Sequence, residues 1–179
     1  MDGQSALHEF TRRVHADLHT VPVLDPIPPQ WLHLTTQDVG FTDEIGQQDL
    51  ETVGAAVSRR VAGLGPIHVR FGPLAVDAEG ISLTARPVPE LTAVRAAIRD
   101  VIAEVRGADR VPGAADGWWA HVSLAYANAD GVSQAPIRDI VNRHQGLVPA
   151  TFTRVSLIEL NRDEGMYQWR TVIAAPLTG

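Results

Sequence analysis

The 179-residue chain has no cysteine and no lysine. Without cysteine there are no disulfides and no thiolate metal sites, and compartment cannot be argued from redox chemistry. All 15 basic residues are therefore arginine. Arginine presents a planar cation that can contact a phosphate at two points, although a bias in composition is the preferred account of the missing lysine. The net charge of −6 argues against a protein that grips long nucleic acid, because such affinity comes from neutralising many phosphates. A small nucleotide or an RNA end remains compatible with that charge. No apolar run approaches the length of a membrane-spanning helix, so no membrane association is expected. The opening Met1-Asp2-Gly3-Gln4 lacks a basic segment followed by an apolar one, so no secretory signal is read and the default expectation is cytoplasmic. With 45% hydrophobic residues the chain can bury a substantial core, and its length suits one domain of two fused lobes.

Hydrophobic periodicity supplies the elements. Leu7, Phe10, Val14 and Leu18 recur at helical spacing over residues 5–19. Leu50, Val53, Val57, Val61 and Leu64 do the same over 48–63. Pro89 and Glu90 suit a first helical turn, and Leu91, Val94, Ile98, Val101, Ile102 and Val105 continue as one stripe to about residue 106. Ser133 is read as the cap of a helix carrying Ile137, Ile140 and Val141. Alternation of apolar and polar residues predicts strands at 67–71, 81–86 and 119–125, with further strands near 31–36, 152–160 and 167–175. The order helix, strand, helix, strand, strand thus occurs twice. The simplest account is a duplicated unit with approximate halves 1–88 and 89–179.

The duplication is sharpest in two short phrases. Trp31-Leu32-His33-Leu34-Thr35 and Trp119-Ala120-His121-Val122-Ser123 both read Trp, any residue, His, apolar, hydroxyl, with the histidines 88 residues apart. The chain's histidines, serines and threonines would give about 0.7 His-x-Ser/Thr matches by chance, so one copy carries no weight. Two copies with a shared Trp are a different matter. On a strand, a histidine and a hydroxyl two residues on share a face. Two such strands side by side would present two acid/base groups and two hydroxyls together. That arrangement suits phosphoryl transfer or ester cleavage with acid and base drawn from side chains, and no cofactor or metal is called for. By the same parity, His68 and Arg70 lie opposite Ile67, Val69 and Phe71, while Ser82, Thr84 and Arg86 form the polar side of the next strand.

These paired motifs, with the phrase His121-Val122-Ser123-Leu124-Ala125-Tyr126 and the closing Tyr167-Gln168-Trp169, resemble the two-histidine phosphoesterase superfamily. That group contains the bacterial 2'-5' RNA ligases and RNA 2',3'-cyclic phosphodiesterases. The resemblance spans Trp31 to Leu177. It departs at Ala120, where many relatives have proline. It implies an α+β fold: bilobal and duplicated, with two antiparallel sheets facing a central cleft and helices outside. It further implies a phosphoric diester hydrolase acting on 2',3'-cyclic phosphates or 2'-5' linkages, on RNA ends or small nucleotides. His33, Thr35, His121 and Ser123 take the family's catalytic positions.

Around these four, Tyr167 and Trp169 are candidates for a substrate wall, and Arg70 and Arg86 for phosphate contacts. Tyr126 has the opposite parity to His121 and reaches the same face only if the strand bends or ends first. Trp31 and Trp119 are read as core residues in preference to base-stacking platforms. His15 and His19, four residues apart on a helix, have a spacing that can bind zinc, but no acidic residue completes a motif. His8, His68 and His144 are read as surface or structural. A monomer is expected. Other readings stay open: a nucleotide-binding module without turnover, or a phosphodiesterase for another small ester such as ADP-ribose 1'',2''-cyclic phosphate or 2'-5' oligoadenylate. Which histidine is acid and which base is also open.

Overall fold

A computed structural model describes residues 1, 3–129, 134–163 and 165–179; Ser133, read above as a helix cap, lies outside them. Among the described residues the order is α1 (Ser5–Leu18), β1 (Leu24–Pro26), α2 (Gln47–Val61), β2 (Ile67–Asp77), β3 (Gly80–Arg86), α3 (Pro89–Arg106), β4 (His121–Ala127), α4 (Gln134–Arg143), β5 (Val148–Phe152), β6 (Arg154–Asn161) and β7 (Gln168–Pro176). The fold mixes helices and strands, as the periodicity implies, and is α+β with two sheets, as the resemblance implies. Helices α1, α2 and α3 begin and end within two residues of the ranges read from the sequence, with Leu64 beyond the end of α2, and α4 carries Ile137, Ile140 and Val141.

The chain forms two compact units, and each draws segments from both halves of the sequence. The first comprises Met1–Leu34, His68–Pro87 and Trp119–Ala150. Its sheet has the order β1-β4-β3-β2-β5, with β1 antiparallel to β4, β4 to β3 and β3 to β2. Helix α1 buries Leu7, Phe10, Thr11, Val14 and Leu18, each large apolar side chain contributing about 1.5–3 kcal/mol. Helix α4 buries Ile137 and Ile140. The carboxylate of Asp17 on α1 accepts bonds from Arg143 Nε at 3.1 Å and His144 Nε2 at 2.8 Å, which ties the C-terminal ends of α1 and α4 together.

The second unit comprises Thr35–Ile67, Val88–Trp118 and Thr151–Gly179. Here α2 packs against α3 and against β7 of the β6-β7 hairpin. Gly54 sits where β7 comes closest. A Cβ at that position would lie 2.1 Å from the Cδ1 of Ile173. An apolar pocket opens beside it, lined by Val53, Val57, Ile98, Val155, Leu157 and Ile173 among others. Neither motif histidine borders this pocket.

Two differences from the sequence reading bear on the site. The strand expected near 31–36 is absent from the sheets. A short 3₁₀ turn covers Pro29–Trp31, and the chain then runs on without ladder pairing, beginning at Leu32 (φ −62°, ψ 131°). Pro28 and Pro29 lack the N–H groups a ladder needs. Instead, Leu24–Pro26 pairs with β4, so the neighbours of β4 are β1 and β3, not the first motif copy. The second difference is a β-bulge in β4. Ser123 pairs with Ser82 and Ala125 with Ile81, which leaves Leu124 without an opposite number on β3. A bulge inserts one residue and so reverses the parity of everything after it. Leu124 and Ala125 are both buried, at 0% and 1% exposure, and Tyr126 pairs with Gly80. Tyr126 therefore shares the face of Ser82, Ser123 and His121. Gly80 admits the close approach: its φ is +142°, and a Cβ there would lie 2.1 Å from the carbonyl oxygen of Ala125.

Candidate active site

The two motif histidines are held in the same way. His33 Nδ1 lies 2.9 Å from the carbonyl oxygen of Trp31, and His121 Nδ1 lies 2.9 Å from that of Trp119. A carbonyl can only accept, so Nδ1 carries the hydrogen in both rings. In the neutral tautomer this leaves Nε2 as the basic nitrogen, facing away from the chain that holds the ring. A fixed tautomer with one defined proton-exchanging nitrogen is what acid/base work requires of a histidine. The acceptor in each case is the backbone of residue i−2. The bond therefore leaves no signature in side-chain identity, and sequence reading does not anticipate it.

The electrostatics of His33 are specific. Burial pushes its imidazole below the ordinary value. The bond to Trp31 opposes this shift, and the positive charges of the Met1 amino group and of His121 reinforce it. The last contribution places the two motif histidines within electrostatic reach of each other, both in the first unit.

Around His121 the strand register assembles the polar face. Thr84 on β3 pairs with His121, and Ser82 pairs with Ser123. The Trp119 ring stacks on the His121 ring at 4.2 Å between centroids, with 19° between the planes. Its indole N–H donates to Thr84 Oγ1 at 3.0 Å. Trp119 is 40% exposed, which corrects its reading as a core residue, and Trp31 is only half-buried. The reason is that the indole of Trp119 is held by its neighbours on the polar face and not by the aliphatic core. Arg70 pairs with Arg86 across β2 and β3, both exposed on the side of Thr84.

The first unit thus holds His33, His121, Ser123, Tyr126, Arg70 and Arg86. Thr35, Tyr167 and Trp169 belong to the second. Within that unit Thr35 is exposed, and its carbonyl accepts the indole N–H of Trp118 at 3.1 Å. Trp118 lies under the guanidinium of Arg95, 5.6 Å from the ring centroid. Arg95 is buried on α3 and donates to the carbonyls of Ala115 and Ala114 at 2.6 and 2.7 Å. Further along α3, Arg99 holds Gln37 and Arg106 holds the carbonyl of Val39. Two arginines of α3, Arg99 and Arg106, thus hold the chain that follows the first motif, and Arg95 holds the segment that precedes the second. Trp169 pairs with Leu160 on the hairpin, and Arg162 lies over the Tyr167 ring at 5.2 Å.

His15, His19 and His144 each have a hydrogen-bond partner. His15 Nε2 meets the carbonyl of Leu124, and His19 Nδ1 that of Ala16. Among the described residues no group of three or more metal-ligating side chains converges, and no helix is long and apolar enough to cross a membrane.

An α+β chain with two sheets and a pair of like-held histidines defines a class that comparison with known proteins identifies. The family model of the 2'-5' RNA ligase superfamily matches residues 4–164. The chain belongs to that superfamily, the two-histidine phosphoesterases, and is a phosphodiesterase-type enzyme. Among solved structures it is similar to TT0787 of Thermus thermophilus, with a TM-score of 0.73 at 17% identity over 97% of this chain and 92% of that one. It is also similar to E. coli LigT complexed with 3'-AMP, with a TM-score of 0.69 at 15% identity over 96% of this chain and 93% of that one. LigT complexed with ATP gives a TM-score of 0.67 at 14% identity, with coverage of 96% and 93%. Identities this low carry the fold alone. No curated protein matches the chain in sequence.

Proposed function

We propose that the protein opens 2',3'-cyclic phosphates, or handles 2'-5' linkages, on RNA ends or small nucleotides by two-histidine acid/base catalysis that requires no metal. The observation that carries this reading is the matched bond from Nδ1 to the carbonyl of residue i−2 at 2.9 Å in both motif copies. It supports Nε2 as the working nitrogen of each ring. The lowered affinity of His33 for a proton supports it as the neutral partner at the start, hence the base for hydrolysis. His33 Nε2 takes a proton from water as the water oxygen bonds to phosphorus. His121, starting protonated, gives its Nε2 proton to the departing ribose oxygen as the P–O bond breaks. Water is added across one ester bond, and a proton exchanged with solvent returns both rings to their initial states.

The motif pattern assigns the non-bridging oxygens to Thr35 and Ser123, where fixed donors act on charge that develops in the transition state. Arg70, Arg86, Tyr126, Tyr167 and Trp169 are the proposed substrate contacts. LigT has been solved with 3'-AMP and with ATP, which favours a nucleotide here. The test is hydrolysis of 2',3'-cyclic AMP and of a 2'-5' dinucleotide in the presence of EDTA. Turnover that persists with chelator supports the proposal. Loss that added metal restores would overturn the acid/base scheme.

A further inference from the structure

Resting on the phosphodiesterase reading, we propose that His15 is a positioning residue: from α1 it fixes the β4 bulge that brings Tyr126 onto the face of His121 and Ser123. Regular alternation along β4 would put Tyr126 on the apolar side with Val122 and Leu124. The bulge at Leu124 reverses this. A bulge forfeits ladder bonds and must be held by something else. Here the holding point is the Leu124 carbonyl, which accepts two donors. The Ile27 N–H reaches it at 2.9 Å, and His15 Nε2 reaches it at 2.8 Å from a residue 109 positions away.

The first donor comes from the end of the β1 pairing. Beyond it stand Pro28 and Pro29, which have no N–H to extend the ladder. His15 supplies a bond that no strand can. The carbonyl accepts, so Nε2 of His15 carries the hydrogen. Burial keeps this ring below the ordinary imidazole value, so the neutral form, with its single N–H directed at Leu124, prevails at neutral pH. The residues on either side of the held carbonyl are Ser123, assigned to the phosphate, and the Ala125-Tyr126 pair. One side chain outside the motifs thus sets the relative register of two substrate-facing groups.

The experiment compares His15→Leu with His15→Gln. The glutamine amide can donate from about the place of the imidazole Nε2, whereas leucine fills the space without a donor. In 2',3'-cyclic AMP hydrolysis H15L should lower kcat on the order of 10- to 100-fold, the scale of a misplaced group near the reacting centre, with a smaller change in KM. H15Q should restore most of that loss. In a Tyr126→Ala background H15L should add little, because the group it positions is gone. A crystal structure of H15L should show Tyr126 displaced from the His121 face, a readout that does not depend on turnover. If H15L does not fold, His15→Asn, whose amide is too short to reach Leu124, takes its place. Equal losses in the donor and non-donor variants, additivity with Tyr126→Ala, or an unmoved Tyr126 would each overturn the inference. A native protein inert toward cyclic phosphates and 2'-5' linkages would overturn the phosphodiesterase reading alone, since the position of Tyr126 in H15L still decides this one.

Discussion

His33→Asn separates how the first motif histidine is held from what it does. The asparagine amide can donate to the Trp31 carbonyl, as Nδ1 now does at 2.9 Å, so the backbone contact survives. No nitrogen remains that can take a proton. One positioned acid or base contributes on the order of 10²–10⁴-fold, or about 2.7–5.4 kcal/mol of barrier. H33N should therefore lose that much kcat while unfolding at nearly the native midpoint. The pH dependence adds a second readout. Burial lowers the His33 value, so the neutral base persists as pH falls below 6.5, the ordinary imidazole value. The acid limb of kcat/KM in the native protein should accordingly fall below that pH. In H33N the residual activity should lack that limb. The assay is hydrolysis of 2',3'-cyclic AMP across pH with EDTA present. An H33N protein with more than about a tenth of native kcat, against the 10²–10⁴ range, would refute the assignment of His33 as a base. So would an acid limb that the substitution leaves in place.

Three further outcomes follow from the packing. Arg95→Met removes the guanidinium that bonds the carbonyls of Ala115 and Ala114 and should cost about 1.5–3 kcal/mol, read as a lower urea midpoint. Gly54→Ala should destabilise despite a gain of about 1 kcal/mol in helix propensity, because its Cβ would lie 2.1 Å from Ile173 Cδ1. Ile173→Val in the same chain removes that atom and should recover part of the loss. Stability should fall on acidification from about pH 6.5, because His15 and His33 both take up protons less readily folded than unfolded. Their contribution is fully present above the unfolded value and is lost as pH falls toward the folded ones. Thermal melts of H15Q/H33N should show a shallower slope in that window, and an unchanged slope would contradict the shifts.

The sequence by itself was enough for the helices, most of the strands and the motif pair. Leu91, Val94, Ile98 and Val101 mark α3 because the period of a helix is local, and Pro89 marks its first turn for the same reason. Alternation likewise marks Ile67, Val69 and Phe71 as the buried side of β2. His33 and His121 stand out because a repeated phrase can be read without knowing where the chain goes. The rest depended on distant partners. Whether Leu32 to Thr36 joins a sheet turned on Leu24–Pro26 taking the ladder of β4. The face of Tyr126 turned on one extra residue at Leu124, since a single insertion reverses every later side chain while leaving the alternation of each segment intact. The proton affinity of His33 was likewise set by tertiary structure, because burial and the nearness of His121 are contributed by chain far from it. Periodicity is written residue by residue; register, tautomer and desolvation exist only once remote segments have met.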